Sequence, residues 1–398
     1  MNSKERHEIR YQRRKAKREK RNEERAAQYT QWDNVFGLSP LLKACKSVAT
    51  KSRGHAATQI FMANLLVNAR TEERKLRAGT WKTRGFNHFT IIERGKKRDI
   101  KSVHISEKGI QNTFCNNCLI PILRPHLIYD NGASLKGKGT DFALNRFTKH
   151  LQEFTRKHGR NGYIYFYDFS GYFANIPIEP LSTEVGKKVM DAGMRGMFEA
   201  FVDAFGEIGL GLGSQVSQIS AVFYPNGIDH LIKDRCGMRY YGRYMDDGYI
   251  ICHDLERLKE VVTLFEKECE RSGIILNKKK CQFVKLTKNF VFLKTRFFIT
   301  DTGKVVKRIN RQTSRKERQR LKAYRRFYDM GIMTHEEIYM NFHSWLLSLK
   351  RGRSFNMKLD AIKYFNSLFR EFPPYRPPKK KNRRTKQLHY IARLAQGG

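Results

Sequence analysis

The chain has 398 residues, 78 Lys and Arg against 38 Asp and Glu, and a formal net charge of +40. A field this positive excludes an ordinary metabolic enzyme as the first reading and asks for a polyanion, nucleic acid above all, or an anionic membrane surface. An apolar fraction of 40%, with 12% aromatic residues, excludes global disorder and supplies a core for two or three subdomains.

Residues 1–30 read as a basic N-terminal arm. Its first 25 residues carry 11 Lys/Arg and 5 Glu without an apolar stripe, which suits a solvated helix or a disordered segment. The arm has no apolar stretch of the kind a secretory signal needs, and no run approaches the roughly 18 apolar residues of a membrane span. A cytoplasmic protein without a membrane partner is therefore expected. Residues 31–160 are mixed, with a helical patch at Ala56–Asn68 and a strand at His88–Ile92. Residues 161–300 are the most strand-like, with aromatic and β-branched runs broken by Gly. Residues 301–372 begin with a basic run: Lys304–Arg326 holds 11 Lys/Arg. Helical spacing follows at Ile338, Phe342, Trp345, Leu346 and Leu349. Residues 373–398 read as a basic, Pro-rich tail that includes the run Lys379–Lys386.

Seven cysteines scattered over this length do not suggest a disulfide framework. The one CxxC, Cys115 to Cys118, has no second pair or nearby His pair to complete a zinc site, so two thiols on one helix are expected.

Two segments carry the chemistry. Tyr163-Ile164-Tyr165-Phe166-Tyr167 is a buried-strand run that ends on Asp168. In Tyr240–Ile251, apolar residues flank Met245-Asp246-Asp247-Gly248, as in a hairpin whose turn presents two carboxylates. An acid pair in a turn is usually only a turn. Joined to a strand-end Asp in a very basic chain, it is what two-metal phosphoryl transfer needs: carboxylates from adjacent strands around two Mg²⁺ ions.

Tyr244-Met245-Asp246-Asp247 resembles the YxDD box of reverse transcriptases, and Asp168-Phe169-Ser170-Gly171-Tyr172-Phe173 that family's first catalytic box. Further boxes follow in order. Glu93–Ile100 resembles the fingers strand that binds the triphosphate, and Lys136-Gly137-Lys138-Gly139-Thr140 a box of the bacterial enzymes. Leu276–Lys280 resembles a later palm box, and Phe292-Leu293-Lys294 the primer grip, usually Phe-Leu-Gly, with Lys294 in place of the Gly. Ser344-Trp345 with Gly352 resembles the thumb. The likeness spans about residues 75–360.

The resemblance implies an α+β right-hand polymerase fold: fingers, an antiparallel-sheet, RRM-like palm, and a helical thumb. Residues 31–160 would hold the N-terminal region and fingers. Residues 161–300 would form the palm, with a fingers segment at about 185–212, and 301–372 the thumb. It further implies an RNA-directed DNA polymerase that uses two Mg²⁺ ions, with Mn²⁺ as the substitute. Asp168 and Asp246 would hold the metals, Asp247 would support them, and the Phe169 carbonyl would complete one shell. Lys96 and Arg98 would contact the triphosphate, unless they form a solvated strand face. Phe173 would be the steric gate against a ribose 2′-hydroxyl, or an ordinary core Phe. Lys278 or Lys280 would donate a proton to pyrophosphate, and Lys280 would lie at the dNTP. Trp345 is a thumb core residue or a minor-groove contact. Template RNA, the cDNA with its RNA–DNA hybrid, and dNTPs are the implied partners, bound mainly through phosphates and 2′-hydroxyls.

Leu212-Gly213-Ser214-Gln215-Val216-Ser217-Gln218 stands where most of the family carries Gln-Gly-x-x-x-Ser-Pro. The pattern is similar to that of diversity-generating retroelement enzymes, which copy a template RNA with errors at adenines. There Leu212, Gly213 and Gln218 would line the nascent pair; Leu212 would loosen its control, and Gln218 would add a donor and acceptor while freeing the backbone. That reading also implies a small, basic, oligomeric accessory protein. Other bacterial reverse transcriptases (retron, group II intron-like or phage-defence) are the alternative, and a non-enzymatic RNA-binding protein the third.

Overall fold

Tyr163–Asp168 forms strand β3 at the centre of a four-stranded antiparallel sheet of order β4-β5-β3-β6. The other members are β4 (Tyr240–Tyr244), β5 (Asp247–Cys252) and β6 (Gln282–Lys285). The structure, a computed structural model, describes residues 3–93, 96–349, 352 and 354–376. The run Lys379–Lys386 and most of the tail lie outside these residues.

Both faces of this sheet are covered, which is why β3 and β5, apart from their terminal Asp168 and Asp247, run apolar rather than alternating. Helix Leu255–Arg271 covers one face: Phe265 packs on Tyr165, Tyr167 and Phe169. Asp254 caps this helix by accepting from the Glu256 and Arg257 amides. Helix Thr140–His158 covers the other face, where Phe147 packs on Phe166 and Tyr249. Its buried positions 143, 144, 147, 151 and 154 keep the 3.6-residue period, and Gly159 ends it in the left-handed region at φ +60°.

Upstream, β1 (Asn87–Glu93) and β2 (Lys96–Ser102) form an antiparallel hairpin. The basic arm is a helix, Ser3–Tyr29. The expected patch at 56–68 is two helices, Ala56–Ala63 and Leu65–Arg77, broken at Asn64. Cys115 and Cys118 share a single π-helical turn and are fully buried, so apolar surroundings push both thiols upward, the opposite of a reactive pair. Residues 161–300 hold more helix than the aromatic runs suggest: Ile178–Gly186, Ala192–Asp203 and Gln215–Phe223 intervene between β3 and β4.

The chain divides into two compact units, the first running to Thr287 and the second starting at Lys288. The second unit holds a three-stranded antiparallel sheet of β7 (Phe290–Phe292), β8 (Thr295–Ile299) and β9 (Val305–Ile309). Three helices follow: Arg311–Asp329, His335–Ser348 and Phe355–Leu368. Their core is Leu321, Ile338, Phe342, Leu346 and Phe365, with Phe342 and Phe365 stacked at 4.4 Å. A capping box of Thr334 and Glu337 starts the second of these helices. Among the described residues no helix is long and apolar enough to cross a membrane.

Candidate active site

Asp168 ends β3, Asp247 opens β5, and the two are register partners. Tyr244 pairs with Asp247, so Met245 and Asp246 alone connect β4 to β5. A connection this short needs left-handed backbone, and Met245 supplies it at φ +54° without being glycine. The Phe169 amide donates to the Asp246 carbonyl at 3.0 Å, stitching the end of β3 to the turn.

A third segment closes the site. Phe169 and Leu276 form an antiparallel bridge. The Asn277 amide donates to the Asp168 carbonyl at 2.8 Å, and Asn277 Nδ2 to Asp168 Oδ1 at 3.1 Å. Lys280 Nζ reaches Asp168 Oδ2 at 2.6 Å. Both lysines open at the sequence level are exposed, but Lys280 is the one that reaches the Asp168 carboxylate.

The electrostatics follow from crowding. Burial raises the Asp246 carboxyl above its ordinary range and Asp168 adds to this, while Lys280 and Arg98 oppose it. Burial likewise raises Asp247, reinforced by Asp246 and Asp168. Burial alone would lower the Lys280 ammonium, but its bond to Asp168 carries it upward. Hard oxygen donors on abutting strand ends, each opposing its neighbour's ionisation, fit a divalent cation. Among the described residues no three acidic, imidazole or thiol groups are already drawn together as a ligand shell. The cation that Asp168 holds is the Lys280 ammonium.

Main-chain bonds tie two of the remaining predicted residues, Phe173 and Leu212, to neighbouring segments. Leu210 N–H donates to the Phe173 carbonyl at 2.6 Å, and Gly209 N–H to the Ile176 carbonyl at 2.8 Å. The Leu212 carbonyl accepts from Lys101 N–H at 3.0 Å, which joins this segment to β2. Gly213 sits at φ +118°, where a Cβ would also meet the Lys101 carbonyl at 3.1 Å. Ser214 caps helix Gln215–Phe223 and donates to Gln111 Oε1 at 2.9 Å. Gln218 is exposed on that helix, Phe173 is half-buried against the core, and Arg98 is exposed on β2, which Lys96 opens.

The box Lys136–Thr140 buttresses β4. Lys138 Nζ donates to the carbonyls of Tyr129 (2.8 Å) and Asn131 (2.7 Å), and burial lowers it to about 8. Thr140 Oγ1 donates to the Tyr244 hydroxyl at 3.1 Å. In the second unit, Phe292 pairs with Thr295, leaving Leu293 and Lys294 as a two-residue turn. Both turn residues have positive φ, +45° and +63°. That conformation explains why a glycine suits this turn, and Lys294 adopts it without one. Trp345 is half-buried and stacks on Phe342 at 5.9 Å.

Sequence reasoning passed over Asn277, Asp229 and Arg243. Arg243 had a signal: a lone cation inside an otherwise apolar strand cannot be buried without a dedicated partner.

Residues 105–315, just over half of the chain, match the family model described as reverse transcriptase (RNA-dependent DNA polymerase). No curated protein matches. Among solved structures, one telomerase from Candida albicans, in complex with a TWJ fragment of telomeric RNA, is 12% identical with a TM-score of 0.46. The similarity covers 79% of this chain and 58% of that one. Apo telomerase from Candida tropicalis is 12% identical with a TM-score of 0.47, covering 78% of this chain and 62% of that one. The chain thus spans about three fifths of the length of these structures.

Proposed function

The chain belongs to the reverse transcriptase family, and on that premise we propose that it copies RNA into DNA at Asp168, Asp246 and Asp247. The observation that carries this is the register pair of Asp168 and Asp247 beside a turn holding Asp246. Asp168 and Asp246 would hold Mg²⁺, with Asp247 and the Phe169 carbonyl beside them. Once bound, the metal lowers the pKa of the attacking 3′-hydroxyl and neutralises charge on the leaving pyrophosphate; Mn²⁺ is its substitute.

The chain's own residues supply the rest. Arg98, with Lys96 on the same strand, offers charge-assisted bonds to the triphosphate. Lys280, bonded to Asp168, would trade that carboxylate for a phosphate oxygen and deliver a proton to pyrophosphate. Phe173 gates the ribose, and Leu212 with Gly213 lines the nascent pair; what supports this is that Phe173 is bonded to Leu210 and Leu212 to Lys101 of β2. Palm and fingers are then the first unit, and the second unit carries the primer-grip turn and the thumb helices. Template RNA, the RNA–DNA hybrid and dNTPs are the partners, and the dense cations of Arg311–Asp329 favour phosphate contacts whose strength falls with salt.

The Leu212–Gln218 segment favours the adenine-mutagenic enzyme of a diversity-generating retroelement, served by a small basic accessory protein. The deciding experiment is primer extension on a defined RNA with Mg²⁺ and four dNTPs, beside Asp246→Ala/Asp247→Ala, followed by product sequencing. Extension lost in the control and errors concentrated opposite template adenine are expected. Evenly spread errors would favour another bacterial reverse transcriptase. No extension at all, with candidate RNA and partner supplied, would leave an RNA-binding protein.

A further inference from the structure

Arg243 lies two residues before Met245, inside β4, and its side chain has no solvent exposure. The Asp229 side chain, on the short helix Asn226–His230, has none either. Arg243 Nε donates to Asp229 Oδ1 at 2.8 Å and Oδ2 at 3.2 Å, and Nη2 donates to Oδ2 at 2.7 Å. Tyr241 donates to Asp229 Oδ1 at 2.6 Å. Tyr167 in turn donates to Tyr241 at 2.9 Å.

Two bonds of the guanidinium leave this pair. Nη2 donates to the Val222 carbonyl at 2.9 Å, in the last turn of helix Gln215–Phe223, where carbonyls lack helical partners. Nη1 donates to the Met245 carbonyl at 3.1 Å. Met245 is the left-handed residue of the turn that presents Asp246 and Asp247. The other turn residue, Asp246, has its carbonyl held by Phe169. Both carbonyls of the turn are therefore anchored, one by backbone and one by a buried cation.

A buried ion pair is weak evidence for stability, since apolar residues of similar volume often serve the fold as well. What apolar residues cannot do is donate to a carbonyl at a fixed point. The fork geometry matters too: one planar group reaches a carboxylate and two carbonyls at once, which an ammonium at the end of a flexible stem does not.

We propose that Arg243 is a positioning residue: held by Asp229, it fixes the Met245 carbonyl and so sets where Asp246 and Asp247 stand against Asp168. This rests on the reading of those carboxylates as a polymerase centre. It also ties the turn to the end of helix Gln215–Phe223, whose start follows the segment placed at the nascent pair.

The test compares wild type with Arg243→Lys and with Arg243→Met/Asp229→Leu. Arg243→Lys keeps the charge pair, and the double variant removes both charges together so that none is stranded. For each, kcat, KM for dNTP, the Mg²⁺ concentration for half-maximal rate, primer–template affinity by fluorescence anisotropy, and the thermal midpoint are measured. The double variant is expected to fold with a lowered midpoint, because the Val222 and Met245 carbonyls and the Tyr241 hydroxyl lose their partners, and to keep its primer–template affinity. Its kcat falls about 100-fold, the scale of a 1 Å misplacement. The half-maximal Mg²⁺ concentration rises, and Arg243→Lys lies between the two. A merely structural pair would move the midpoint and leave kcat and Mg²⁺ dependence alone. A folded double variant with kcat within twofold of wild type overturns the inference. If that variant does not fold, Arg243→Lys decides by the same criterion, and failure of both to fold also counts against it. Absence of extension by wild type would instead overturn the polymerase reading.

Discussion

Gly248 follows directly on Asp247 and faces a ring that has nowhere to go. A Cβ at this position would stand 2.2 Å from Tyr167 Cζ and 2.3 Å from its hydroxyl oxygen. Ordinary carbon contacts lie at about 3.5–4.0 Å, so Gly248→Ala demands a displacement of about 1.3 Å or more. The Tyr167 ring is buried, packs on Phe265 at 4.6 Å and Phe169 at 5.5 Å, and donates its hydroxyl to Tyr241. The strand must yield instead, and it carries Asp247 away from its partner Asp168. Overpacking of this kind costs about 1–3 kcal/mol, and a shift of about 1 Å at a reacting centre costs about 100-fold in rate. Urea unfolding reads the first quantity and primer extension at saturating dNTP the second. Adding Tyr167→Leu clears the space and restores part of the rate, a non-additivity visible in a double-mutant cycle. Adding Tyr167→Phe does not, because the Cζ contact remains. The reasoning is refuted by an alanine variant within 0.5 kcal/mol and twofold of wild type, or by equal rescue from Phe and Leu.

Lys280→Ala should lower kcat about tenfold or more, within the range of a lost general acid, whereas Lys278→Ala should stay within about twofold to threefold; equal effects would remove the distinction drawn from the 2.6 Å contact with Asp168. His150 accepts from Arg146 on Nε2 at 3.2 Å and therefore presents a protonated Nδ1 to the Tyr249 hydroxyl at 3.0 Å, which requires the neutral ring. Burial holds His150 down at about 4 against an ordinary 6.5. The unfolded chain binds this proton first, so the neutral ring's contribution is complete above pH 6.5 and is lost as pH falls from there through 4, by about 3 kcal/mol in all. Unfolding free energies across that window should slope less in His150→Gln, and an unchanged slope would exclude His150 as the titrating group. Leu212→Gln should narrow the error spectrum at template adenine while leaving the thermal midpoint within about 2 °C, since Leu212 joins β2 through its backbone; sequenced extension products and a melting curve check both halves.

The parts of the site legible in the sequence are those where one residue type forces one geometry. An aromatic run that stops on an Asp is a buried strand ending at a polar site, and β3 ends on that residue, itself buried. Met-Asp-Asp-Gly between apolar runs is a hairpin, and β4 and β5 flank it. The missing glycine at Lys294 was legible as a departure, and the turn there needs positive φ at both residues. What was not legible depends on contacts across the chain. Three consecutive lysines are equivalent until Asn277 is pinned to the Asp168 backbone, after which only Lys280 is seen against the carboxylate. The helices Ile178–Gly186, Ala192–Asp203 and Gln215–Phe223 between β3 and β4 are short, 9 to 12 residues, and lie between aromatic and β-branched runs that read locally as strand. The basic arm was open between helix and disorder because it lacks an apolar stripe to commit it.

A division of labour between backbone and side chain runs through the site. Phe169 holds Asp246, Asn277 holds Asp168, Leu210 holds Phe173 and Leu212 holds Lys101, each through main-chain groups separated widely in sequence. At these points main-chain groups hold the segments together, while the Phe173 ring also packs against the core. The exception is the turn itself. Only two residues connect β4 to β5, one of them in a left-handed conformation that a methionine adopts at a cost of about 1–2 kcal/mol. A backbone held in that state needs its carbonyls over-determined from outside. Asp246 receives this from the Phe169 amide, and Met245 from a guanidinium that could not stay buried without Asp229. The two-residue turn between β4 and β5 thus accounts for the buried Arg243–Asp229 pair.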